Sequence, residues 1–247
     1  MQALMIRIGN FLFRYRNRVF PILICALFVL AAPPTQYFGS ETLENFKDVV
    51  ALVIALSGLA VRATTIGFAY IKRGGVDKKV YADRLVTGGL FGVCRNPLYL
   101  GNILIYTGVF LMHGSPIVIG LGMVSYLFIY WCLVYAEEAY LTGRFGEGYR
   151  AYCAEVPRWL PKLSRFREST AGMEFNVRRV ILKDYTTIAA TLIVLALTEL
   201  YELILLPDLS THRTYIAFAG SVVVVAGLMA ALVRISKKRR WLTESAA

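Results

Sequence analysis

Charge is what this chain has least of. Only 17% of its 247 residues are Asp, Glu, Lys or Arg, while 57% are hydrophobic and the mean hydropathy is +0.57. So little charge at this length excludes an ordinary soluble domain and implies a multi-pass membrane protein. Histidine occurs twice, too seldom for a His-rich metal site. Cys25, Cys94, Cys132 and Cys153 show neither clustering nor metal-ligand spacing, and Cys25 and Cys132 sit in apolar runs as small hydrophobes. Neither a metal nor a disulfide is expected. No internal repeat marks a transporter built from duplicated halves.

What charge there is has one dominant sign, 27 Lys and Arg against 16 Asp and Glu, a net +11. Nucleic acid is not the implied partner, because the cations stand at the ends of apolar runs, where they meet anionic headgroups. All but Lys47, Arg62 and Arg213 fall in residues 1–18, 72–95, 144–183 and the tail from Arg234. The positive-inside rule then gives an all-α bundle of about six spans with both termini cytoplasmic, in the cytoplasmic membrane if the source is prokaryotic.

The apolar runs place these spans at about 19–38, 49–71, 97–113, 116–137, 185–206 and 215–235. Residues 1–18 mix Leu4, Ile8, Phe11 and Tyr15 with four arginines, as in a helix lying in the interface. A simple basic lead-in to the first span is the alternative. The run from Phe20 to Ala32 has the length of a signal-peptide core, but a first span is the preferred reading. Pro33-Pro34 should break or kink its outer end. Glu41, Glu44 and Asp48 are expected in a polar loop before the second span. Residues 72–165 form the chemical core, 19–71 two spans ahead of it, and 166–247 two further spans with a basic tail.

Spans three and four are joined by the short turn His113–Pro116, so the start of one and the end of the other must be neighbours. Asn96-Pro97 reads as a helix start, with Asn able to cap and Pro at the first helical position. Its free amides and dipole, beside Arg95, favour an anion. Tyr99, Asn102 and Tyr106 form a polar stripe at i, i+3 and i+7. Gly101 and Gly108 offer a small-residue face for close approach of span four. Glu137-Glu138 stand at the negative end of a helix, where carboxylates need a cation or a ligand. Arg95 and Arg144 are the available partners. Gly146 marks a stop, and Glu147 to Glu155 a short amphipathic helix with Tyr149 and Tyr152 on one face.

Taken together these elements resemble the isoprenylcysteine carboxyl methyltransferase and phospholipid methyltransferase family of membrane enzymes. The resemblance rests on Leu85-Val86-Thr87, Gly89, Phe91, Arg95-Asn96-Pro97, Tyr99 and Gly101. After the hairpin it resumes at Glu137-Glu138, Leu141, Phe145-Gly146, Tyr149, Tyr152 and Val156-Pro157-Arg158, about 80 residues in all. It implies S-adenosylmethionine as cofactor, released as S-adenosylhomocysteine. Asp83, Leu85, Val86 and Phe91 would line its pocket from the loop, Asn96, Pro97, Tyr99 and Gly101 from span three, and Glu137 from span four. Glu138, with Arg95 beside it, is the implied catalytic group, as a base or by orienting the acceptor.

The acceptor would be a membrane lipid or lipid-like molecule, with Arg62, Tyr106, Tyr149 and Tyr152 as its candidate contacts. Two departures bear on its identity. Asn96 stands where many members have His, and Leu133 where the prenylcysteine branch has an arginine, so a lipid amine, a hydroxyl and a carboxylate all remain open. Two rivals remain open as well. One is a membrane reductase of the steroid-reductase type using NADPH, and the other a small transporter using Arg62, Glu199 and Glu202 as a charge pathway. The last two spans lie outside the motif, and an oligomer is compatible with them.

Overall fold

The structure, a computed structural model, describes residues 2–69, 80–239 and 241. These residues form helices and no strand. In chain order they are α1 (Gln2–Leu30), α2 (Glu41–Phe68), α3 (Pro97–His113), α4 (Pro116–Phe145), α5 (Glu147–Glu155), α6 (Phe166–Ser169), α7 (Val177–Ile204) and α8 (Arg213–Lys238). Of these, α2, α4, α7 and α8 are long and apolar enough to cross a membrane, and α3 is a shorter apolar helix. The chain is therefore a helical membrane bundle. The end of the expected second span at Ile71, most cations of the 72–95 loop and the last residues of the basic tail lie outside the described residues.

Three expectations need correction. The expected interfacial segment and first span fall in one helix, α1, which stops at Leu30 and not near Phe38. It is not among the helices long and apolar enough to cross, so among the described residues four candidate spans and the shorter α3 stand where about six spans were expected. Nothing between Arg18 and Val19 breaks α1, and the helix ends ahead of Pro33-Pro34, as a following proline demands. Pro21 lies inside it. Glu44 and Asp48 are not in a loop, because α2 begins at Glu41, capped by the Ser40 side chain, which accepts from the Leu43 amide at 3.4 Å.

The third correction concerns helix pairing. Gly101 and Gly108 do face a close neighbour, but it is α2 and not α4. A Cβ on Gly101 would come within 2.6 Å of Arg62 Cγ and 2.8 Å of the Gly58 carbonyl, and one on Gly108 within 2.6 Å of the Ala51 carbonyl. The hairpin turn fixes α4 as the sequence neighbour of α3, yet the small residues are spent on the helix that must approach most closely. Gly108→Val should therefore push α2 and α3 apart and cost roughly 1–3 kcal/mol. Thermal unfolding in detergent reads this, with Gly120→Val as control, since a Cβ on Gly120 meets nothing within 4 Å. Equal melting of the two variants would refute the α2–α3 contact.

Elsewhere α1 packs along α4, while α7 packs on α8, α2 and α3. At the end of the bundle marked by the α3–α4 turn, buried Lys47 pairs with Glu44, with Asp48 at 3.0 Å and with the Met112 carbonyl at 3.1 Å. Carboxylate oxygens of Glu44, Asp48 and Glu202 gather there within 4.8 Å of one another. Glu202 of α7 is thus gathered with two carboxylates of α2, with Lys47 supplying countercharge. Gly114, in the left-handed region at φ 75°, closes α3 before the turn.

Candidate functional site

The loop before α3 is pinned from below by the segment that follows α5. The Arg95 amide donates to the Pro157 carbonyl at 2.9 Å, and the Lys162 amide to the Val93 carbonyl at 3.0 Å. The Tyr152 hydroxyl donates to the Phe91 carbonyl at 2.7 Å. Asn96 does not cap α3 with its side chain; its Nδ2 instead donates to the Arg158 carbonyl at 3.0 Å. Pro97 holds the first helical position as expected. The two halves of the motif, about sixty residues apart, are thus stitched together by main-chain carbonyls on both sides.

This stitching encloses a cavity of about 1060 Å³. From the loop it is lined by Asp83, Leu85, Val86, Phe91 and Arg95, from the start of α3 by Asn96 and Tyr99, and from α4 by Glu137 and Glu138. Tyr106, Tyr149, Tyr152 and Arg62 also reach it. Of the residues singled out from the sequence, Pro97 and Gly101 do not line it, and Gly101 is taken up by the contact with α2. Residues with no sequence signal complete the wall: Phe13, Arg16, Asn17 and Phe20 from α1, Tyr130 from α4, and Thr186 and Thr187 from α7.

The acidic pair is divided in its work. The Tyr99 hydroxyl donates to Glu137 Oε1 at 2.5 Å, and among the described residues no donor reaches Oε2. Glu138 is held by the Arg158 fork, Nε to Oε1 at 3.1 Å and Nη2 to Oε2 at 2.6 Å, with Arg95 Nη1 3.0 Å from Oε1. Two guanidiniums on one carboxylate make a tie between α4, the start of α3 and the strap after α5. Arg144, expected as a partner, is replaced by Arg158 of the Val-Pro-Arg motif. The pair does not lie at a helix end either: α4 continues to Phe145, two turns further. Gly146 at φ 53° ends it, and α5 covers Glu147–Glu155 as expected.

On α5, Tyr149 is buried and its ring centroid lies 5.9 Å from that of Tyr152. Burial pushes both phenols above the usual tyrosine range, so they stay protonated and can donate. Deeper in the cavity the rings of Tyr99 and Tyr130 lie 5.3 Å apart, and Phe20 meets Tyr106 edge-on at 5.8 Å. An aromatic floor of this kind suits a positively charged or apolar group.

Arg62, expected to contact an anion of the substrate or cofactor, has a protein partner. Its Nε and Nη2 donate to the two oxygens of Asp184 at 3.0 and 2.5 Å, and Nη1 donates to Asn102 at 2.5 Å. Nη2 also reaches the Thr187 hydroxyl at 3.2 Å. Arg62 is 2% exposed and Asp184 1%. Asp184 escaped notice because it precedes Tyr185 at the apparent boundary of an apolar run, where a charge looks solvated. In the structure α7 starts earlier, at Val177, which carries Asp184 two turns into the helix and against α2.

A family model described as phospholipid methyltransferase matches residues 49–148, the stretch from α2 through α4. The chain is 30% identical over 164 residues to the cobalt-zinc-cadmium resistance protein CzcN of Cupriavidus metallidurans, covering 66% of this chain and 72% of that one. It is 26% identical over 164 residues to the nickel-cobalt-cadmium resistance protein NccN of Alcaligenes xylosoxydans xylosoxydans, covering 66% and 73%. No solved structure matches significantly.

Proposed function

Since the chain belongs to the phospholipid methyltransferase family, we propose that it transfers a methyl group from S-adenosylmethionine to a lipophilic acceptor held in the membrane. The observation that carries this reading is the cavity of about 1060 Å³, whose wall gathers both halves of the motif. Its size stands at the upper end of the roughly 300–1,000 Å³ usual for small-molecule sites, enough for a cofactor and the reactive end of an acceptor.

The donor set fits the cofactor. Glu137 offers a carboxylate oxygen for ribose hydroxyls or an amine, and the amide end of α3 beside Arg95 suits a carboxylate. Leu85, Val86 and Phe91 offer an apolar bed, and the Tyr99 ring a face for a sulfonium. When bound, S-adenosylmethionine supplies an electrophilic methyl carbon and leaves as S-adenosylhomocysteine.

The chain's own task is alignment and exclusion of water. Tyr99 orients Glu137, the Glu138 tie fixes the start of α3 against α4, and α5 closes the cavity with Tyr149 and Tyr152. In this reading the basic segments face the cytoplasm, with both termini and the cavity mouth on that side and the acceptor entering from the bilayer. The core of 72–165 then works with walls from α1, α2 and α7.

The test is incubation of the purified full chain with methyl-labelled S-adenosylmethionine and a total lipid extract. Label should pass into the organic phase, and its carrier names the acceptor. A preparation with intact helical circular dichroism that neither binds the cofactor saturably nor labels any lipid would end this reading.

A further inference from the structure

Two of the cavity's cations are matched by carboxylates, and Glu137 is held by Tyr99 with the Arg16 charge acting on it. Arg62 is met by Asp184 and Arg95 by Glu138, while Arg84 is exposed on the loop. Arg16 is half-buried in the wall, with its guanidinium carbon 4.3 Å over the Phe13 ring. Among the described residues no carboxylate lies within ion-pair distance of it. A stacked guanidinium keeps its planar fork presented and costs little further ordering to engage an anion.

A second feature sits one turn along. Pro21 has no N–H, so the Asn17 carbonyl lacks its regular helical donor, and both residues line the cavity. The wall of α1 thus offers a cation beside a hydrogen-bond acceptor, next to apolar Phe13, Phe20 and Leu133.

Resting on the methyltransferase reading, we propose that α1 is the acceptor-reading wall. Arg16 binds an anionic group, a phosphate or carboxylate, carried by an amphiphilic acceptor. The Asn17 carbonyl accepts from a hydroxyl or ammonium on the same headgroup. This wall lies outside residues 49–148, which the family model matches.

The test uses the full chain in dodecyl maltoside micelles and three titrations by calorimetry, with monododecyl phosphate, inorganic phosphate and S-adenosylmethionine. The wild type should bind monododecyl phosphate saturably. Arg16→Gln should weaken it tenfold or more, and Arg16→Lys several-fold, with cofactor affinity unchanged in the Lys variant, which keeps the charge acting on Glu137. Arg14→Gln, on the exposed side of the same helix, should behave as wild type. If Arg16→Gln fails to fold, the Lys variant carries the test.

Four outcomes would overturn the proposal: no binding by the wild type, unchanged binding in the Arg16 variants, loss confined to the cofactor, or equal loss in Arg14→Gln. Inorganic phosphate binding as tightly as the amphiphile would also overturn it, by assigning the site to a free anion. Failure of the methyltransferase reading has a separate signature, absence of cofactor binding in the wild type.

Discussion

Glu137→Ala is expected to reduce S-adenosylmethionine affinity by two or more orders of magnitude. The carboxylate lines the cavity with one oxygen held by Tyr99 and the other available. A hydrogen bond to an ionised acceptor contributes about 1.5–3 kcal/mol, and two such bonds lost together weaken binding by roughly a hundredfold or more. Truncation also strands the Tyr99 hydroxyl, which would cost stability on its own account. Glu137→Gln separates the two effects, because its amide oxygen can still accept from Tyr99 while the charge is gone. The expected order of affinity in calorimetric titrations is wild type, then Gln, then Ala, with the Gln variant melting close to wild type. Equal affinity in all three would remove Glu137 from the cofactor site.

Asp184→Ala should be strongly destabilising, because it removes one side of a buried ion pair. It would leave the Arg62 guanidinium buried between α2, α3 and α7 with Asn102 and Thr187 as its remaining partners. Breaking one side of a buried ion pair costs about 3–5 kcal/mol, whereas replacing both sides by apolar residues is often neutral. For a chain of this size that loss corresponds to a fall in melting temperature of roughly 10 °C. The double variant Arg62→Met with Asp184→Leu should recover most of it. Should Asp184→Ala melt as the wild type does, the pair would not be what fastens α7 to the bundle.

The parts of the molecule legible in the sequence are those whose signal is local. The start of α3 at Pro97, the left-handed stop at Gly146, the amphipathic α5 and the polar stripe on α3 follow from a few adjacent residues. Partner choice is different in kind. The face of Gly101 and Gly108 announces that some helix comes close, but its chemistry is equally compatible with α2 and α4. Likewise an acidic pair requires a countercharge, and nothing in the spacing prefers Arg158 over Arg144. The wall from α1 was hidden because arginines among apolar residues near a chain start read as lipid anchors. Asp184 was hidden because helix ends in membrane chains are usually marked by charge, and here the helix runs on past it.

The Arg62–Asp184 pair also bears on how the chain is made. Asp184 emerges from synthesis after α2 through α4 have left the ribosome, two turns inside α7 and next to Lys183. A charged residue inside a span is penalised during insertion, by up to about 2.5–3.5 kcal/mol at its centre. Arg62 carries the matching burden from α2 onward until its partner arrives. Integration of the C-terminal half is thereby conditional on a correctly placed α2. A chain in which α2 is misplaced would leave the Arg62 guanidinium without the carboxylate that neutralises it.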